Sequence, residues 1–128
     1  MMTQKDQADM ISSYIEAYNN FDTEGMTACL HENVVFENIS GGKTGLKTEG
    51  IEAFKTQAEA AARYFSSRHQ TVDSWAFSDE SITISISYEA VPAIDLPNGM
   101  KKGSAIILKG ESEFVFSDGK IIRITDRS

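Results

Sequence analysis

Ile11, Tyr14, Ile15, Tyr18 and Phe21 recur at spacings of three and four, which winds them onto one stripe of a helix predicted from about Gln4 to Asn20. Asp22 is a good N-cap for a short second helix through Leu30, with Met26, Cys29 and Leu30 facing inward and Gly25 weakening it. Val34 to Asn38 reads as a short strand. A third helix is predicted to start near Ile51, with Ile51, Phe54, Ala58, Ala61 and Phe65 on its buried face. After Ser67 the period becomes two: Ile82, Ile84, Ile86, Tyr88 and Ala90 alternate with Thr83, Ser85, Ser87 and Glu89, as a strand with one buried face requires. Turns are expected at Pro97-Asn98-Gly99 and at Ser117-Asp118-Gly119-Lys120, with strands over Gly103 to Phe116 and Ile121 to Asp126. Between the early strand and the third helix, Ile39 to Gly50 holds four glycines, two threonines and two lysines, and reads as a mobile loop of the kind that covers a pocket.

Helices first and strands afterwards imply an α+β domain with helices packed on one face of an antiparallel sheet. At 128 residues the chain fits one domain, residues 1–128, able to build a core without disulfides or metal. With 41% hydrophobic and 24% charged residues the composition argues against disorder. The net charge of -7 repels phosphate backbones and anionic lipid, so nucleic acid and membrane surfaces are poor partners. Cys29 is the one cysteine, without a second thiol for a disulfide or a zinc site. The polar start Met1-Met2-Thr3-Gln4-Lys5 lacks a signal-peptide apolar region, and no apolar run approaches the roughly 18 residues of a membrane span. A cytoplasmic location is expected.

Few motifs survive inspection. Gly41-Gly42-Lys43-Thr44-Gly45 looks like part of a phosphate-binding loop, but that motif needs a glycine where Glu37 stands and a helix directly after Thr44. A plain flexible loop is the better reading. His31 and His69 lie far apart with no second histidine four residues away, so no metal-ligand spacing exists; His31 is expected to cap carbonyls at a helix end and His69 to lie at the surface. Cys29, inward on its helix, reads as a small buried hydrophobe. Neither a nucleophile elbow nor a dinucleotide fingerprint is present. No cofactor and no metal are expected.

What remains is a set of polar residues at positions the pattern assigns to the interior. Tyr14 lies on the apolar stripe of the first helix and Tyr88 on the apolar face of its strand, and each hydroxyl needs a partner if buried. Ile122, Ile124 and Asp126 share one face of the last strand. Ser112 shares a face with Leu108, Gly110, Phe114 and Phe116, and Asn38 one with Phe36.

Four strings in order, Tyr14-Ile15-Glu16-Ala17-Tyr18-Asn19-Asn20-Phe21-Asp22, Leu30-His31-Glu32-Asn33-Val34-Val35-Phe36-Glu37-Asn38, Gly50-Ile51-Glu52-Ala53-Phe54 and Asp118-Gly119-Lys120-Ile121-Ile122-Arg123-Ile124, resemble the nuclear transport factor 2-like superfamily, which includes SnoaL-like polyketide cyclases and ketosteroid isomerases. The resemblance spans nearly the whole chain. It implies a cone-shaped, strongly curved antiparallel sheet wrapped around the N-terminal helices, also called cystatin-like, with an apolar pocket in its open end and a homodimeric assembly.

The resemblance also implies roles. Tyr14 matches the tyrosine that hydrogen-bonds the developing oxyanion in ketosteroid isomerases, where an aspartic acid kept protonated by its apolar site is the second donor. That second donor's place is taken by Ser112, and the proton-shuttling aspartate's place by Asn38, whose amide neither takes nor gives a proton near neutral pH. Ketosteroid isomerisation by that route is therefore not expected. Asp126 resembles in location the late-strand acid/base of SnoaL-like cyclases, and Ile84, Ile86, Tyr88, Ile122 and Ile124 are turned to the pocket with it. The expectation is a cofactor-free isomerase, cyclase or dehydratase in which Asp126 and Tyr14 are catalytic. Asn38, Phe36, Tyr88, Ser112, Ile84, Ile86 and Ile124 bind a small apolar, oxygenated organic molecule. The alternative is a non-catalytic ligand-binding or homodimeric interaction module, paired through the small, uncharged outer face of Thr83, Ser85 and Ser87.

Overall fold

The computed structural model describes residues 2–96 and 99–128. Thr3 opens α1 (Gln4–Asn19) with a reciprocal cap: its hydroxyl accepts from the Asp6 amide at 3.0 Å and its own amide donates to the Asp6 carboxylate at 3.1 Å. The stripe read from the sequence is the packed one, with Ile11, Tyr14 and Ile15 buried. Asp22 caps α2 (Thr23–Thr27) through the Gly25 amide, but this helix is one turn long. Cys29 and Leu30 lie beyond it and are buried all the same.

The chain then runs through β1 (Leu30–Ser40), β2 (Lys43–Glu49), α3 (Ile51–Ala62), β3 (Phe65–Phe77), β4 (Ile82–Pro92), β5 (Ile106–Ser117) and β6 (Lys120–Arg127). The strands form one curved sheet in the order β2-β1-β6-β5-β4-β3. Neighbours run antiparallel except β1 and β6, which are parallel and stand inside the sheet. The helices cover the concave face, where Ile11, Ile15, Val34, Ile82, Ile84, Phe114, Ile121 and Ile124 form the core. Among the described residues no helix is long and apolar enough to cross a membrane.

Several sequence expectations change here. The segment from Ile39 to Gly50 is a hairpin arm rather than a loop: Gly41 and Gly42, with φ of 59° and 81°, make a tight turn whose twist suits two antiparallel strands, and β2 follows. The third helix ends at Ala62, and Phe65, expected on its face, opens β3 instead. His31 does not cap a helix. It sits in β1, its Nδ1 accepts from the Asn33 amide at 3.0 Å, and its Nε2 faces Asp118 at 3.4 Å. The register slips between Val115 and Phe116, so Phe116 lies opposite Ile121; Ile121 enters the core and Ile122 is only half-buried. The expected turn at Pro97-Asn98-Gly99 includes two positions, 97 and 98, outside the described residues.

The convex face of the sheet is charged, contrary to the uncharged surface expected around Ser85. Ser87 bonds Asp73 at 2.6 Å and accepts from Lys109 at 3.2 Å. Arg127 pairs with Glu113 at 2.7 Å and Glu111 at 3.6 Å, and Arg123 pairs with Glu37.

Candidate functional site

Curvature leaves a cavity of about 370 Å³ between α1, α3 and the concave face of the sheet. Its walls are largely aromatic and aliphatic: Tyr14, Phe36, Phe54, Ile86, Phe114 and Ile124. Among the residues anticipated from sequence, Asp126, Tyr14, Asn38, Phe36, Tyr88, Ser112, Ile86 and Ile124 line it. Ile84 does not. It is fully buried in the cluster with Ile11 and Ile15, so α1 covers the position that alternation turns inward.

Three of these polar residues stand in one row. Asn38 on β1 lies opposite Asp126 on β6, and Asp126 lies opposite Ser112 on β5. The parallel pairing of β1 with β6 makes the first of these contacts. The Ser112 hydroxyl, in a residue only 2% exposed, donates to Asp126 Oδ1 at 2.6 Å. Burial pushes the Asp126 carboxyl up to about 6, and the Ser112 bond opposes this only in part. Asp126 as a whole residue is half-buried and lines the cavity.

Tyr14 packs edge-on against Phe114 and tilted against Phe54. Burial, and next the nearby Asp126 charge, hold its hydroxyl well above the ordinary tyrosine range, so it stays protonated and can only donate or accept as a neutral group. No hydrogen bond to that hydroxyl is found among the described residues, and it faces the cavity wall. The donor is unspent.

A second polar group stands on the β3 side, and of its members the sequence singles out only Tyr88 as a site residue. Tyr18 donates to the Tyr88 hydroxyl at 3.2 Å. Arg68 lies over the Tyr18 ring at 3.8 Å and the Phe21 ring at 4.5 Å, and its Nε donates to the Tyr18 carbonyl at 2.9 Å. Asn19 fastens this wall to α1: its Oδ1 accepts from the Gln70 amide at 2.7 Å and its Nδ2 donates to the Gln70 carbonyl at 3.1 Å. Among the described residues no cluster of three or more histidine, cysteine, aspartate or glutamate side chains could hold a metal.

The SnoaL-like domain model matches residues 11–124. The chain belongs to the SnoaL-like domain family. Solved structures agree in fold. A candidate polyketide cyclase from Xanthomonas campestris pv. campestris superposes with a TM-score of 0.78 at 20% identity, over 97% of this SnoaL-like chain and 90% of the other. AclR, a candidate hydroxylase from Streptomyces galilaeus, gives 0.75 at 16% identity over 98% and 89%. A protein with a ketosteroid isomerase-like fold from Catenulispora acidiphila, solved with trimethylamine, gives 0.74 at 9% over 91% and 82%. These likenesses concern fold, and the diversity of names on one SnoaL-like scaffold is why the site residues must carry any functional reading. No curated protein matches the sequence.

Proposed function

We propose that this SnoaL-like chain binds a compact, mostly apolar organic molecule bearing oxygens and moves a proton on it without a cofactor, as an isomerase, cyclase or dehydratase. The observation that carries the reading is the Ser112–Asp126 pair in the cavity wall. A carboxyl near 6 is mostly ionised at neutral pH yet takes up a proton readily. Ionised Asp126 removes a proton from a carbon next to a carbonyl, and the electron pair moves onto the carbonyl oxygen. Tyr14 donates a hydrogen bond to that oxygen as charge develops. Protonated Asp126 then returns the proton to a second carbon and regains its charge. Asn38, fixed opposite Asp126, and Ser112 orient substrate and carboxylate.

NMR titration of the Asp126 carboxyl tests this without knowledge of the substrate. The expected midpoint is about 6; a value near the roughly 3.9 of model peptides removes Asp126 from the mechanism.

A second reading, a homodimeric interaction module, is favoured by Ile107, an apolar residue 72% exposed on the face of β5 turned away from the cavity. We propose dimerisation through this part of the sheet as compatible with either role. Sedimentation at micromolar concentration showing one species near 14.1 kDa would count against it.

A further inference from the structure

Arg68 is a charged side chain, in a residue 6% exposed, on a strand face that closes a cavity. No carboxylate pairs with it among the described residues, and its Nη2 has no hydrogen-bond partner there. The rings of Tyr18 and Phe21 and the Tyr18 carbonyl hold the guanidinium in place. They offset part of the cost of burying the charge but supply no counter-ion. Two residues along β3 on the same face, Gln70 also lines the cavity and its Oε1 is buried without a partner. That oxygen is an acceptor and does not itself hold an anion, but a buried cation with an idle donor and no counter-ion is an incomplete anion site.

We propose that Arg68 binds a carboxylate of the ligand, so that the substrate class is a compact apolar carboxylic acid. The inference rests on the cavity being a ligand site, and not on proton transfer at Asp126. Arg68 on β3 and Asp126 on β6 are separated by three strand-to-strand steps, and they also differ in height along the strands: Arg68 lies opposite Ala90 on β4, whereas Asp126 and Ser112 stand in the row of Ile84, six residues away. A carboxylate anchored at Arg68 therefore keeps its own charge away from Asp126 within the cavity that both line. The chain's net charge of -7 disfavours anions at long range, so a local cation weighs the more in holding an acidic ligand.

The alternative is that Arg68 merely holds the last turn of α1 through the Tyr18 carbonyl. A pair of probes separates the two. Binding of 2-naphthoate and of its neutral isostere 2-naphthamide is measured at pH 7 by calorimetry on wild type, Arg68→Gln, Arg68→Lys and Asp126→Asn. The proposal expects wild type to prefer naphthoate by about ten- to a hundredfold. Arg68→Gln should abolish that preference while leaving naphthamide binding, Arg68→Lys should keep part of it, and Asp126→Asn, which removes a negative charge from the same cavity, should keep or raise it. Equal affinity for the two probes in wild type, no binding of either, or a preference that survives Arg68→Gln overturns the site. If Arg68→Gln does not fold, the guanidinium ¹⁵N resonances of wild-type Arg68 decide: they should shift on adding naphthoate and not naphthamide, and a failure to do so overturns the proposal. Should Asp126 titrate normally while the naphthoate preference holds, the acid/base reading fails and the carboxylate site stands.

Discussion

Asp126 and Arg127 are consecutive in sequence and leave β6 on opposite faces. Asp126 joins Ser112 in the cavity wall, whereas Arg127 pairs with Glu113 and Glu111 on the convex side. Arg127 therefore gives Asp126 no counter-charge, and the carboxyl meets apolar walls with one hydroxyl for company.

Asp126→Asn should stabilise the fold at neutral pH. A carboxyl raised from 3.8 to about 6 binds its proton more tightly in the folded than in the unfolded chain. Stability is then greatest below the unfolded value, declines as pH rises through the interval between the two, and stays reduced above it. The ceiling on the gain from Asn is about 3 kcal/mol at pH 7, less whatever the Ser112 bond loses against an amide. Urea denaturation of both proteins at pH 4 and pH 7 checks the sign, since the difference should nearly vanish at the lower pH. Any turnover should disappear in the variant, and in wild type it should rise with pH through about 6.

Tyr14→Phe removes a hydroxyl that bonds none of the described residues. Unfolding free energy should change by less than about 1 kcal/mol, because no such hydrogen bond is broken. If Tyr14 meets a developing oxyanion, turnover should drop by about 10²- to 10³-fold. Tyr88→Phe is the contrast: it removes the acceptor of the Tyr18 hydroxyl and should cost about 1 kcal/mol in stability.

Asn19→Ala should loosen the β3 wall. Two bonds from one side chain satisfy the amide and carbonyl of Gln70 on an edge strand, so their loss should cost about 1 to 3 kcal/mol. Hydrogen exchange at the Gln70 amide should accelerate more than at Ile86, and equal protection in variant and wild type would contradict this role.

Gly110→Ala tests how tightly β5 and β6 approach beside the site. A Cβ at position 110 would sit 2.7 Å from the Arg127 carbonyl oxygen, a backbone atom that cannot swing aside. The strands must part, at a cost of about 1 to 3 kcal/mol. Thermal unfolding and the Asp126 titration should shift together in this variant.

The sequence makes the helical stripe of Ile11 to Phe21 and the alternation of Ile82 to Ala90 plain, because each element buries one face and leaves the other polar. Strand β2 is obscure for the converse reason. It is an edge strand with Leu46 as its one large apolar residue, so Lys43 to Glu49 carries no alternation, and only Gly41-Gly42 marks the hairpin. Arg68 and Gln70 escape notice because β3 is polar on both faces from Ser66 to Thr71: Ser67, His69 and Thr71 look no different from the residues between them. The placing of Ile121 in the core follows from a slip in register opposite Val115, a long-range fact that a local period does not contain. Asp126 is legible from Ile124, its neighbour on the same face, but the bond to Ser112 depends on which strands pair.

The parallel junction of β1 with β6 has a consequence for the order of assembly. Val35 meets Arg123 and Asn38 meets Asp126 only after about ninety intervening residues have been made, so the β1–β2 hairpin has no sheet to join until the last described strand arrives. Local contacts among α1, α2 and the β3–β4–β5 meander can form earlier, while closing that long loop is the entropically slow event. On a ribosome, then, the Asp126 side of the cavity takes shape only after its Arg68 side has been synthesised.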